Sequence, residues 1–218
     1  MFYHIDTPIT FKDHPNVLSM VLYPTFKCNL NCYHCHNREA RSMSFPVMDD
    51  DTLQEKLEHA LLLGVKWIII SGGEPTLCNI DTLVYYIQFI KSYGFNIRID
   101  SNGTNPEKIR QLIPHVDAFA IDIKIPIKES YTDDELRRYS TILFSIDSNH
   151  KGVLSYKEKL LDSIQMINAS NVRNDTIYRT VEYPLLTQDD KNAINNFTKS
   201  LGIDERHYWL PFQHIENQ

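Results

Sequence analysis

The chain has 218 residues, 42% of them hydrophobic and 23% charged, with a net charge of −6. That is long enough for one domain with its own core and more acidic than a nucleic-acid footprint, which is normally basic, so no nucleic-acid partner is expected. No apolar run approaches the length of a membrane span, and Met1 to Ile5 lacks the basic-then-apolar pattern of a secretion signal, so no membrane partner is expected.

In chain order, Met1 to Asn16 reads as a polar lead-in, and Val17 to Phe26 as a first strand with Val17, Leu18, Met20, Val21 and Leu22 almost continuously apolar. A cysteine run follows, then a surface loop from Asn37 to Met48. Thr52-x-x-Glu55 predicts a capping box for a helix carrying Leu53, Leu57, Ala60 and Leu61 on one face and ending at Gly64. Trp67 to Ile70 is a short buried strand. Asp81 is the expected cap of a second helix with Leu83, Val84, Ile87 and Ile90 in a stripe. Phe95 to Asp100 is a third strand, Pro106 opens a third helix, and Ala118 to Ile123 is a fourth strand. Residues Pro126 to Asn149 look less regular, with a surface helix start at Tyr131, Asp133, Asp134 and Glu135. Ser155 to Ser170 is helical, Thr176 to Val181 a fifth strand, Thr187 to Leu201 helical, and Arg206 to Phe212 a sixth strand.

Repeated strand–helix alternation implies parallel pairing with right-handed crossovers. Six units are too few for a closed eight-stranded barrel. The expected fold is α/β, a partial, open (β/α)6 barrel: a single domain over 1–218, with its core at about 17–212 and its active site at the C-terminal ends of the strands.

The cysteine run is Cys28-Asn-Leu-Asn-Cys32-Tyr-His-Cys35, a C-x3-C-x2-C spacing directly after the first strand. Three thiolates so close on a short loop converge on one centre, and soft sulfur ligands select zinc, copper(I) or an iron–sulfur cluster. Three ligands leave one iron of a four-iron cluster open for chemistry. A Cys3His zinc site using His36 is the alternative on ligand type, although structural zinc sites usually pair two ligand knuckles across a longer spacer. Three clustered cysteines also fit a reducing cytoplasm better than disulfides.

The other polar clusters follow strands as well. Ser71-Gly72-Gly73-Glu74-Pro75 offers glycines through which backbone can approach a ligand, with a carboxylate beside them. Asp100-Ser101-Asn102-Gly103 is a turn prone to left-handed backbone, or a polar ligand shelf. Asp122 and Lys124 fall on one face of the fourth strand and can pair or line a pocket. Arg179-Thr180 ends the fifth strand, where an arginine can clamp a carboxylate.

The cysteine spacing is the signature of radical S-adenosylmethionine (SAM) enzymes, and the chain is identified as a member of that superfamily. Cys28 to Asn37, Ser-Gly-Gly-Glu-Pro, Asp-x-Asn-Gly and Asp-Ile-Lys together resemble the glycyl-radical-enzyme activases. Thr10-Phe-Lys-Asp13-His-Pro15 resembles the lead-in of the anaerobic ribonucleoside-triphosphate reductase activating proteins. The resemblance implies a 4Fe–4S cluster on Cys28, Cys32 and Cys35, and SAM held by Gly72, Gly73, Glu74, Asp100, Ser101, Asn102, Asp122, Lys124 and Arg179. It further implies a monovalent cation at Asp100, Ser101, Asp122 and the Ala120 carbonyl. The implied reaction is reductive cleavage of SAM to a 5′-deoxyadenosyl radical and formation of a glycyl radical on a partner, anaerobic ribonucleotide reductase, with a flavodoxin- or ferredoxin-type electron donor. Lys27, His34 and Gln213 depart from that group's pattern, and Cys78 is expected as a buried thiol. Two alternatives stand beside this reading: a radical SAM enzyme acting on a small molecule, similar to 7-carboxy-7-deazaguanine synthase, and a non-enzymatic iron–sulfur or zinc module.

Overall fold

A computed structural model describes residues 1–3, 7–13, 17–33 and 35–213. His14 and Pro15 of the lead-in motif and His34 of the cysteine run lie outside the described residues. Seven strands form one sheet in sequential order: β1 (Ile9–Thr10), β2 (Ser19–Thr25), β3 (Trp67–Gly72), β4 (Asn96–Ser101), β5 (Ala118–Asp122), β6 (Ile177–Val181) and β7 (His207–Leu210). β1 runs antiparallel to β2, and every later pair is parallel. The sheet is a curled, open half-barrel, as expected. The six anticipated strands are β2 to β7. β1 was not anticipated, because two residues of strand inside a polar lead-in carry no periodicity.

The helices are α1 (Asp50–Leu62), α2 (Ile80–Lys91), α3 (Pro106–Leu112), α4 (Asp133–Phe144), α5 (His150–Asn168) and α6 (Gln188–Ser200). Alternate strand residues point to opposite faces. Met20, Leu22, Ile68, Ile70, Ile97, Ile99, Phe119 and Ile121 form one buried core with Leu53, Leu57, Leu83, Ile87, Ile109 and Ile164 of the helices. Each such side chain contributes roughly 2 kcal/mol by leaving water. The residues between them face the concave side, where polar groups can gather.

Four expectations need adjusting. The cap of α1 is Asp49, whose carboxylate accepts from the Thr52 amide, so Thr52 and Glu55 form no capping box. Asn79, not Asp81, caps α2; Asp81 lies in the first turn, where its charge favours the positive end of the helix dipole. The helix start expected at Tyr131 to Glu135 is there, and it opens α4, a twelve-residue helix with a true capping box between Thr132 and Glu135, so the stretch is more regular than expected. α5 likewise starts at His150, five residues ahead of the expected Ser155. Among the described residues no helix is long and apolar enough to cross a membrane.

Candidate active site

The carboxyl ends of β2 to β6 open onto a cavity of about 450 Å3. Its wall includes Cys28, Cys32 and Cys35 from the loop after β2, and Ser71, Gly72 and Gly73 from β3 and its exit. Asp100, Ser101, Asn102, Asp122, Lys124 and Arg179 complete it from β4, β5 and β6. Of the twelve anticipated site residues, only Glu74 does not line this cavity.

The cysteine loop is fixed by backbone contacts on two sides. On one side, the amides of Asn31 and Tyr33 donate to the carbonyls of Leu143 and Ile142 at the end of α4, at 3.0 and 2.9 Å. Ser145, in left-handed backbone at φ 56°, adds a hydroxyl donation to the Asn31 carbonyl. Arg38 donates to the Cys32 carbonyl at 2.6 Å, and Arg41 to that of Cys28 at 3.3 Å. α4 therefore supports the cysteine loop.

The glycine pair supports it from the other side. Gly73 donates to the Thr25 carbonyl and Glu74 to that of Lys27, both at 2.8 Å. A Cβ on Gly73 would lie 2.2 Å from the Lys27 oxygen, and one on Gly72, at φ +121°, 2.5 Å from that of Thr25. The glycines were expected to admit a ligand. They line the cavity, and in the structure they also admit the backbone that leads into Cys28. The Lys27 side chain itself is exposed, and only its carbonyl enters this contact.

Glu74 is fully buried behind the pair. Its carboxylate accepts from the Thr76 amide and hydroxyl, the Ser101 hydroxyl at 2.9 Å and the Asn102 amide at 2.8 Å, joining the ends of β3 and β4. Burial pushes its carboxyl above the usual range against those donors. Asn102 then reaches the cysteine loop, donating to Asn29 at 3.0 Å and towards the Cys28 sulfur at 3.6 Å. Gly103, at φ +74°, makes the left-handed turn anticipated there.

β4, β5 and β6 carry a line of alternating charge. Arg98 donates to Asp100 at 2.9 Å, and Arg179 bridges Asp100 at 3.0 Å and Asp122 at 2.9 Å. Lys124 closes the line on Asp122 at 2.9 Å. The register makes this possible: Asp122 stands beside Arg179, while Ala118 and Ala120 stand beside Arg98 and Asp100 and leave them room. Burial favours the neutral form of Asp122, yet Arg179 and Lys124 outweigh it and hold the carboxyl at about 2. Lys124 and Arg179 are raised in turn: burial opposes their charge, and the carboxylates prevail. Three cations stand against two anions in this line, and Asp13 on the same wall interacts with Arg98, Arg179 and Asp100. All four carboxylate oxygens of Asp100 and Asp122 accept from a cationic side chain.

Burial raises the Cys28 thiol and pushes Cys32 up to about 11. Such thiols give up a proton readily only to a cationic partner that replaces it. Among the described residues no three His, Cys, Asp or Glu side chains gather around a single-ion position. Three soft sulfurs spaced along the wall of a roomy cavity fit a sulfur-rich cluster. Cys78 is half-buried, raised to about 11 by burial, and does not line the cavity.

Several wall residues were not anticipated as site residues. Asp13, raised by burial, comes from the turn after β1; Asn37 donates to the Gly72 carbonyl at 2.6 Å; and Tyr183 follows β6. Tyr183 obeys the rule that located the others, a polar group just past a strand end, and could have been found by it.

An open parallel half-barrel with three cysteines on the loop after its first parallel strand defines a class, and comparison with known proteins agrees. The Radical SAM superfamily profile matches residues 22–197, and the chain belongs to that superfamily. It is 37% identical over 114 residues to the "Putative glycyl-radical enzyme activating enzyme MJ1227" of Methanocaldococcus jannaschii, covering 51% of this chain and 45% of that one. It is 34% identical over 80 residues to the "Probable GTP 3',8-cyclase" of Pyrococcus abyssi, covering 37% of this chain and 25% of the relative. The matches thus span less than half the length of these relatives. Among solved structures, HydG, a maturase of the [FeFe]-hydrogenase, superposes with a TM-score of 0.63 at 14% identity, over 92% of this chain and 43% of that one. TYW1 with a lysine-pyruvate adduct bound superposes at 0.54 and 16% identity, over 92% and 66%. These two likenesses bear on the fold. Membership of the superfamily implies a 4Fe–4S cluster and SAM.

Proposed function

We propose that this chain is a glycyl-radical-enzyme activating enzyme acting as a single domain, with Cys28, Cys32 and Cys35 holding the cluster and the charged line of β4 to β6 receiving SAM. The observation that carries the reading is the sharing of one cavity by the three thiols, the glycine-backed loop and the paired cations Arg179 and Lys124. When bound, the cluster supplies one electron that cleaves the sulfonium to methionine and a 5′-deoxyadenosyl radical.

This chain's residues position and shield. Arg179 and Lys124, already aligned by Asp100 and Asp122, offer fixed positive charge to the methionyl carboxylate without reorganising. The backbone of Gly72 and Gly73 forms the neighbouring wall, and Ser101 and Asn102 the shelf beside it. Glu74 acts from behind, keeping β3 and β4 in register. No acid–base pair is required, since the hydrogen leaves the partner's glycine as an atom.

The proposed partner is a glycyl radical enzyme, with anaerobic ribonucleotide reductase the reading carried by the lead-in resemblance, and a flavodoxin- or ferredoxin-type protein as electron donor. The relative from M. jannaschii supports the activase class. Matches to cyclases favour a second reading, radical chemistry on a small molecule. Anaerobic incubation of the reconstituted chain with SAM, dithionite and the candidate reductase separates them. The activase reading expects 5′-deoxyadenosine together with a glycyl radical doublet in the reductase. Product without that doublet, across the candidate partners, favours the small-molecule reading; no 5′-deoxyadenosine at all contradicts both.

A further inference from the structure

We infer that Asn102 is a positioning residue that acts through Cys28: its side-chain amide donates to the Cys28 sulfur and makes the group held there easier to reduce. The inference rests on the cluster reading and gives this side chain a task other than the SAM contact expected of it.

Asn102 is 5% exposed and stands just past β4, on the cavity wall. The orientation of its amide is fixed. The Thr104 backbone N–H, which can only donate, meets Oδ1 at 3.0 Å, and the Thr104 hydroxyl meets the same oxygen at 2.6 Å. Nδ2 therefore lies on the other side, where it donates to Asn29 Oδ1 at 3.0 Å and to Cys28 Sγ at 3.6 Å. Sulfur is larger than oxygen, and the longer separation is the one its size requires. Asn29 closes a ring by donating to the Thr104 hydroxyl at 2.7 Å. The backbone is held as well, since the Asn102 amide N–H donates to the buried Glu74 carboxylate at 2.8 Å.

An asparagine side chain offers two donor hydrogens and two acceptor lone pairs. All four are taken here, two by Thr104, one by Asn29 and one by Cys28, and none is left over for SAM. A cysteine that holds the group is a thiolate, a stronger acceptor than the free thiol. When the group takes one electron from its donor, no bond is made and no proton moves, but its sulfurs become more negative. A fixed N–H donor favours that form, and hydrogen bonds to ligand sulfur are among the influences that set cluster potentials.

Two variants of the full chain test this, each reconstituted anaerobically and poised at the wild-type midpoint potential, with the reduced fraction read by paramagnetic resonance. Asn102→Ala removes the donor, and its reduced-to-oxidised ratio should fall about tenfold, the size of one charge-assisted bond. Thr104→Val breaks the ring but leaves the Thr104 backbone N–H on Oδ1, so Nδ2 still faces Cys28 and the ratio should stay within about twofold of wild type. Equal falls in both variants place the effect in a loosened turn and overturn the inference. An unchanged ratio in Asn102→Ala with full iron content overturns it too, as does a folded Asn102→Ala that loads no iron, since the amide would then serve loading. Should Asn102→Ala fail to fold, wild type carrying heavy nitrogen at its asparagine side chains decides: the reduced protein must show a coupling to that nitrogen in pulsed paramagnetic resonance, and its absence overturns the inference. Wild-type protein that binds no iron overturns the cluster reading first and this inference with it.

Discussion

The two halves of the cavity are built by different physics. On the β2–β3 side, backbone meets backbone: carbonyls of Thr25 and Lys27 accept from Gly73 and Glu74, and only glycine leaves room for the approach. On the β4–β6 side, side chains meet side chains in an alternating series of five charges. The first arrangement is steric and tolerates almost no change of shape. The second is electrostatic, and its members can be changed while the strands stay where they are. Under the proposed function, position is fixed on one side and affinity on the other.

The sharpest way to break the comparison is Gly73→Ala. Its Cβ would meet the Lys27 oxygen at 2.2 Å and the Phe26 carbonyl carbon at 2.5 Å, both backbone atoms that cannot swing aside. A loss of about 3 kcal/mol or more is expected, with displacement of the cysteine loop. Thermal denaturation and iron content after reconstitution should both fall; a variant that loads iron normally would refute the steric account. Arg179→Met tests the other half. Removing the bridge leaves Asp100 with Arg98 and Asp122 with Lys124, so the fold should persist while SAM affinity falls by roughly tenfold to a hundredfold, measured by equilibrium binding. Unchanged affinity would remove the charged line from the binding site.

A smaller effect sharpens the same contrast through α4, on which the cysteine loop is hooked. Arg138 and Tyr139 of α4 both donate to Asp190 at the start of α6, and Arg138 does so at 2.5 Å. Burial works against ionised Asp190, yet Arg138, Tyr139 and Thr187 hold it at about 2. Because the folded value is depressed, its contribution is present above the unfolded value of about 3.9 and is lost as pH falls towards 2. Asp190→Asn should therefore lower stability by about 2 kcal/mol at neutral pH, with the difference shrinking across that acid window in denaturant melts. A difference independent of pH would place the effect in packing. The smallest effect is expected for Cys78→Ala: with its thiol off the cavity wall, iron content should be unchanged, and a fall would make it a ligand.

Much of this was legible in the chain because the signals were local. Runs such as Trp67 to Ile70 and Ala118 to Ile121 are apolar along their length, as strands covered on both faces must be, and the polar residues at their ends mark the rim. Asp122 and Lys124 pair as their spacing of two dictates. Long-range facts were not legible. Asp49 and Asn79 displaced the expected caps because several residues near a helix start can serve, and the winner depends on where the chain enters. Only the start of α4 was legible; its length was not, because it mixes Arg137 and Arg138 with Ser140 and Thr141 and buries only Tyr139, Ser140, Ile142 and Leu143. Gly72 and Gly73 line the cavity as anticipated, but their close approach to the Thr25 and Lys27 carbonyls was not legible, because the sequence cannot say which backbone will come near. Arg98 sits two residues before Asp100 on the same face, yet nothing local says that an arginine will be fully buried there.

The central claim is most directly tested by paramagnetic resonance of the dithionite-reduced chain, prepared anaerobically, with and without SAM. The account predicts about four irons with sulfide per chain and a cluster signal that changes when SAM is added. Protein without iron, or a cluster whose signal is the same in both samples, would contradict it.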